Sequence, residues 1–270
     1  MTEERRAEPR GGLEFYWNGI YRILRASATR ADSLLAALGI FLIAGLVVAV
    51  GGVAIFVELA GHVRSGSTQA FDDHVIRWLA AHHSPTLDGV MLEITALGTG
   101  TVVLMIVAVA SLFLVLTQHR YSAILLLAST AGGLVLNGVL KLGFNRPRPS
   151  IVVHAVHTVS SSFPSGHAMS AAIVYSTVAY LAARLQKKLW ARWLTLLTTF
   201  ILIVLIALSR LYLGVHYPSD VVAGIAIGLA WAGFCMAALE AIQKFGARRD
   251  PSILEDEKPA PAPGASLLHR

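Results

Sequence analysis

The chain has 270 residues, of which 55% are hydrophobic and only 14% charged, with a mean hydropathy of +0.64. Soluble domains carry about 25% charged residues, so the composition argues against a water-soluble enzyme. The formal charge of +6 does not mark a nucleic-acid binder, because most Lys and Arg flank apolar runs and no aromatic-interleaved basic patch exists; such flanking charge serves orientation and contact with anionic lipid.

Residues 1–33 form a basic lead-in too polar for a cleavable signal peptide. Its Phe15-Tyr16-Trp17 and the following Ile20, Tyr21, Ile23 and Leu24 read either as an amphipathic surface helix or as a solvated arm. Six stretches then lack Asp, Glu, Lys and Arg: Leu34–Val57, Ile94–Thr117, Tyr121–Leu140, Ala168–Ala183, Leu194–Ser209 and Val221–Leu239. A bilayer core takes about 20 residues of helix. Four stretches reach or approach that length, and the other two reach it if their helices begin at Pro164 and near Trp190. A membrane β-barrel would alternate polarity along each segment, and these runs do not. The spacing predicts an all-α membrane protein with six transmembrane helices over residues 34–243.

Between the first two spans, Phe71–Leu79 has helical apolar spacing and predicts an interfacial helix in the first extracytoplasmic loop, followed by a turn at Ser84-Pro85. Residues 244–270, with Pro251, Pro259, Pro261 and Pro263, predict a disordered cytoplasmic tail. The single Cys235 sits in the last apolar run and reads as a small buried hydrophobe. With the N-terminus inside, sixteen of the 22 Lys and Arg fall on inner segments, leaving Arg64, Arg77, Lys141, Arg146, Arg148 and Arg210 outside. The positive-inside rule then places both termini in the cytoplasm of a cell inner membrane. It also brings three polar clusters to one outer surface.

Those clusters carry the chemistry. His216 and Asp220 stand four apart at a helix entrance, with Pro218 and Ser219 between them. A carboxylate there can fix the imidazole tautomer and leave its other nitrogen as a nucleophile, or the pair can be an interfacial histidine with a dipole-complementing Asp. Pro164-Ser165-Gly166-His167 opens the fourth span, where free backbone N–H groups favour an anion; an ordinary helix start with an incidental histidine is the plainer alternative. Lys141, Arg148 and Arg210 offer a point charge and two forks for phosphoryl oxygens, or each snorkels to lipid headgroups. Arg146 is a supporting or headgroup contact. Tyr212, Tyr217, Trp190 and Trp193 read as interfacial aromatics, Glu93 as an interfacial carboxylate, and Asn137 as a bond between helices. Three clusters in three separate segments favour a joint role.

The order Lys141, six residues, Arg148-Pro149; then Pro164-Ser165-Gly166-His167; then Ser209-Arg210, five residues, His216, three residues, Asp220 resembles the type-2 phosphatidic acid phosphatases, relatives of the vanadium haloperoxidases. The likeness spans about residues 71–240. It implies a membrane-embedded phosphatase that needs no metal or other cofactor and acts on a lipid phosphate. It further implies catalytic His216, Asp220 and His167, with His216 forming a phospho-histidine, Asp220 orienting it and His167 protonating the leaving oxygen. Lys141, Arg148, Ser165, Gly166 and Arg210 would hold the phosphate. Candidate substrates are a polyprenyl diphosphate, phosphatidylglycerophosphate, phosphatidic acid or diacylglycerol pyrophosphate. A lipid phosphotransferase would use the same residues. A soluble-type haloperoxidase does not fit the spans, and a transporter would show paired interrupted helices, which this chain lacks.

Overall fold

The computed structural model describes residues 40–150 and 160–246. The basic arm, the first residues of the first expected span and most of the Pro-rich tail lie outside the described residues. Within them the chain is all-helical: α1 (Ile40–Ser65), α2 (Gln69–Ala80), α3 (Pro85–Ala96), α4 (Gly100–Leu116), α5 (Arg120–Gly143), α6 (Gly166–Leu185), α7 (Leu189–Tyr212) and α8 (Pro218–Gly246). Five of these helices are long and apolar enough to cross a bilayer, and α3 with α4, bent by 45°, makes a sixth when taken as one broken span. Helices suit that setting because each satisfies its own backbone polar groups.

Several boundaries differ from the sequence reading. The first span continues past its apolar run to Ser65, and its extra turns hold Glu58 bonded to His62 at 3.1 Å. The second breaks at Leu97–Thr99 although its apolar run is unbroken: Thr99 takes an extended conformation as the cap of α4, and its hydroxyl donates to the Ala96 carbonyl at 2.7 Å. Three quarters of α3 lies upstream of that run, with Glu93 exposed on it. The fourth span starts at Gly166, with Ser165 as its cap and Pro164 outside the helix. The last helix runs to Gly246, into the stretch expected as tail.

Helix α8 is the central strut and packs on α1 and α6, while α6 also meets α5 and α7. Small residues on one face let α6 and α8 approach closely: a Cβ at Gly224 would stand 2.6 Å from the Ser165 carbonyl oxygen, and one at Gly228 2.8 Å from that of Met169. Such a small-residue seam drives helix association where lipid offers no hydrophobic contrast. Facing it, α6 buries Ala168, Met169, Ala171 and Ala172 completely. The outward faces carry exposed Val50, Leu116, Phe200 and Ile201, as lipid contact requires. Trp190 and Trp193 are exposed at the start of α7, consistent with interfacial aromatics. Cys235 is buried and unpaired.

The predicted interfacial helix is α2. Its buried face is Asp72 and Ile76, and its opposite side exposes Phe71 and Trp78. Ser84 then caps α3, accepting from the Leu87 N–H at 3.4 Å, with Pro85 in the first turn. Beneath the α5–α6 connection, Phe144, Phe163 and Phe56 stack in series with centroids 4.6 and 5.7 Å apart. They pin the connection to α1 below the polar site.

Candidate active site

Helix ends from three separate parts of the chain meet at one end of the bundle. The first turn of α8 carries one half of a capping box: Pro218 opens the helix, and the Asp220 carboxylate reaches back to accept the Tyr217 N–H at 2.9 Å. His216 stands just before that turn, its Nδ1 3.6 Å from Asp220 Oδ2. Its Nε2 lies 3.4 Å from Arg148 Nη1. A guanidinium only donates, so the contact requires a lone pair on Nε2 and puts the imidazole proton on Nδ1, toward Asp220. Both neighbours therefore select the same tautomer. Burial, the main cause, pushes the His216 imidazole down to about 4 against the pull of Asp220. At neutral pH the ring is uncharged, with its free lone pair directed at a cation.

Arg148, in the α5–α6 connection, also donates to the Val215 carbonyl at 2.9 Å and to Ser160 Oγ at 3.4 Å. Burial lowers its pKa, opposed by the charge of Asp220. Lys141, in the last turn of α5, donates to the same Ser160 hydroxyl at 3.4 Å. The Ser165 N–H donates to the Asp220 carbonyl at 2.9 Å, which docks the start of α6 onto the first turn of α8. Arg210, in the last turn of α7, donates to Thr95 Oγ1 at 2.6 Å. His167 lies within electrostatic reach of Arg210, His216, Lys141 and Arg148. Gly166 faces Asn137, whose Nδ2 would be 3.1 Å from a Cβ added there.

Among the described residues, three buried polar atoms of these side chains have no hydrogen-bond partner: Ser165 Oγ, Arg148 Nε and Arg210 Nε. Buried polar groups are nearly always paired, and these three donors belong to side chains gathered around His216. Lys141, Arg148, Ser165, Gly166, Arg210, His167, His216 and Asp220 thus converge. Ser209 does not join them, because its hydroxyl is spent on the Ile206 carbonyl at 2.7 Å. No three His, Cys, Asp or Glu side chains gather as a metal site among the described residues.

The two tyrosine assignments change, and Arg146 takes the supporting one of its two alternatives. Arg146 makes no headgroup contact: its Nη1 donates to Asp220 Oδ1 at 2.6 Å, its Nη2 to Asp72 Oδ2 at 2.7 Å, and it lies over the Tyr217 ring at 4.3 Å. Burial opposes its charge, but Asp220 and Asp72 outweigh that and raise its pKa. Tyr217 is accordingly buried beneath a guanidinium rather than facing lipid. Tyr212 is also buried, donating to Asp88 Oδ1 at 2.7 Å, accepting the Ser84 N–H at 3.1 Å and stacking on His83. Asn137 packs on Gly166, and its Oδ1 has no partner among the described residues.

Sequence reasoning missed Asp72 and Thr95. Thr95 carries no signal. Asp72 carries a faint one, since it precedes the apolar Ile76 by four residues, one helical turn on the same face.

The features define a class: a multi-pass helical membrane protein with a cationic cradle around a buried histidine. Residues 122–244 match the family model of the PAP2 superfamily. Phosphatidylglycerophosphatase B of Bacillus subtilis (strain 168) is 32% identical over 175 residues, covering 64% of this chain and 86% of that protein. An undecaprenyl-diphosphatase of Sulfolobus acidocaldarius is 29% identical over 175 residues, covering 63% of this chain and 79% of the relative. The crystal structure of a transmembrane PAP2-type phosphatidylglycerolphosphate phosphatase from Bacillus subtilis matches with a TM-score of 0.63 at 30% identity, over 68% of this chain and 94% of that one. The chain belongs to the PAP2 superfamily.

Proposed function

We propose that this protein is a membrane phosphatase that removes the terminal phosphate of a lipid phosphate or diphosphate through a phospho-histidine at His216. The observation that carries the reading is the buried imidazole with Nδ1 toward Asp220 and Nε2 3.4 Å from Arg148. A phosphoryl group held by Arg148 would present its phosphorus to that lone pair. Catalysis of phosphoryl transfer is mostly positioning and charge stabilisation, and Lys141, Arg148, Arg210, Ser165 and the Gly166 backbone supply both.

The steps balance as follows. The Nε2 lone pair attacks phosphorus, the bond from phosphorus to the leaving oxygen breaks, and His167 gives that oxygen a proton. The positive charge on the phosphorylated ring is met by Asp220. His167, now neutral, takes a proton from water as its oxygen attacks phosphorus. The phosphorus–nitrogen bond then breaks, its electron pair returns to Nε2, and orthophosphate leaves.

The positive-inside count supports both termini in the cytoplasm and the cradle at the outer face of the inner membrane. The phosphatase domain spans residues 34–243, flanked by a basic arm over 1–33 and a tail over 244–270. A lipid could reach the cradle from the side with its tail still in hydrocarbon. The relatives' names favour phosphatidylglycerophosphate and polyprenyl diphosphate among substrates, with phosphatidic acid and diacylglycerol pyrophosphate as further tests. The deciding experiment measures phosphate release from these four lipids in proteoliposomes containing EDTA. The wild type is expected to release phosphate, and His216→Ala and His167→Ala to lose it. Undiminished release by His216→Ala overturns the mechanism, and label passed to an acceptor lipid instead of water marks a phosphotransferase.

A further inference from the structure

The proposed chemistry uses Asp220 but leaves unexplained why two fully buried carboxylates share one arginine. Asp72, on α2, and Asp220, on α8, are both 0% exposed, and the Arg146 side chain between them is only 8% exposed. Asp72 accepts the Ser219 N–H at 3.0 Å, the Ser219 hydroxyl at 2.5 Å and Arg146 Nη2 at 2.7 Å. Arg146 Nη1 donates to Asp220 Oδ1 at 2.6 Å and to Ser219 Oγ at 2.7 Å, and Nη2 also reaches Gln69 Oε1 at 3.1 Å. Every short contact of Asp72 thus ends at Arg146 or at Ser219, the residue beside Asp220.

Burying a charge is costly unless it is matched. Within this trio two carboxylates and one guanidinium leave one negative charge over; His216 lies 3.6 Å from Asp220 Oδ2, and Arg148 and Lys141 feel the same carboxylate. While the imidazole is neutral that surplus is met only at longer range by the cations of the cradle, and it gains a direct partner when the ring becomes positive on phosphorylation. Without Asp72, Arg146 would neutralise Asp220 alone and leave less charge for the ring.

We propose that Asp72 and Arg146 are positioning residues of this reaction: Arg146 fixes the Asp220 carboxylate, and Asp72 shares Arg146 so that Asp220 keeps its charge for the phosphorylated His216. The inference rests on the reading of His216 as nucleophile. It also makes α2 part of the catalytic apparatus. Phe71 and Trp78 are exposed on the side of α2 away from Asp72, so a helix lying along the bilayer surface carries the charge that tunes the histidine.

The test is a double-mutant cycle on purified full-length protein, with kcat, KM and Tm measured for Asp72→Asn, Asp220→Asn and the pair. Asp72→Asn should lower kcat about tenfold with KM within about twofold, and its effect should shrink to about twofold or less once Asp220 is Asn, as for residues in one network. An equal loss of kcat in both backgrounds, a loss that only follows Tm, or no loss in the single variant overturns the proposal. Arg146→Lys, which keeps the charge but cannot fork between two carboxylates, is run in the same two backgrounds should Asp72→Asn fail to fold. It should show the same dependence on Asp220, and independence overturns the proposal. His216→Ala, measured alongside, separates the two claims. Full turnover by that variant sinks the nucleophile itself, whereas its inactivity with an additive cycle sinks only the positioning role.

Discussion

Replacing Asp220 by Asn keeps the shape of the side chain and removes its charge, so it isolates what the carboxylate does for His216. At the 3.6 Å separation of His216 Nδ1 and Asp220 Oδ2, a full charge pair is worth about 4–5 kcal/mol at an effective dielectric of ~20. Arg146 already occupies the other oxygen at 2.6 Å and offsets part of that field. A net loss of about 2–4 kcal/mol remains, equivalent to roughly a 30- to 1,000-fold fall in kcat. KM should move little, because Asp220 meets the ring and Arg146 rather than the phosphate oxygens. The assay is steady-state phosphate release from a lipid phosphate in mixed micelles, with Tm recorded to register the weakened partnership of Arg146. A kcat within about fivefold of wild type would show that the field of Asp220 is not what stabilises the charged ring.

Other outcomes follow from the same geometry. His167→Ala should cost about 10²–10⁴-fold on a lipid monophosphate, whose alkoxide needs a proton, and far less on an aryl phosphate with a good leaving group; equal losses on both would remove His167 as the acid. Because burial holds the His216 pKa near 4, its neutral form persists as pH falls below the ordinary 6.5, and the acid limb of kcat due to this group should lie well under pH 6. The unfolded chain takes up that proton first, so the group costs stability as pH falls from about 6.5 toward about 4. A kcat limb centred at or above pH 6.5, and lost in no other variant, would contradict the buried neutral imidazole. Gly224→Leu should separate α6 from α8, lowering Tm and abolishing turnover together, since a Cβ there already stands 2.6 Å from the Ser165 carbonyl; a stable, active variant would show that the seam does not set the site.

Much of this molecule is legible in its sequence because charge stands out against hydrocarbon. Lys141, Arg148, Arg210 and Asp220 are conspicuous at the borders of apolar runs, and the alternating direction of the spans sends them to one end of the bundle, where they meet. The four-residue spacing of His216 and Asp220 likewise foretold a helix entrance, and the Asp220 carboxylate caps it at the Tyr217 N–H. What remained hidden depends on tertiary contact. Asp72 and Asp73 are adjacent and chemically alike, and only packing turns Asp72 inward to Arg146 while Asp73 meets Gln69. Arg146 stayed open between a supporting and a headgroup contact because its two carboxylate partners lie more than seventy positions away on opposite sides in sequence. The bend at Leu97–Thr99 was masked by an unbroken apolar run, yet it brings Gly98 against His167 and sets Thr95 on Arg210. Apolarity locates a helix in the bilayer without fixing where its axis turns.

The most direct test of the central claim is to catch the phosphoryl group on the enzyme. Wild type and His167→Ala are mixed with a lipid carrying labelled terminal phosphate, quenched in alkali and digested for mass spectrometry. The account predicts a phosphoramidate on the peptide containing His216 in the wild type, formed more slowly in His167→Ala, and none in His216→Ala. Label on a different residue, or full turnover with no labelled protein at any time, would contradict it.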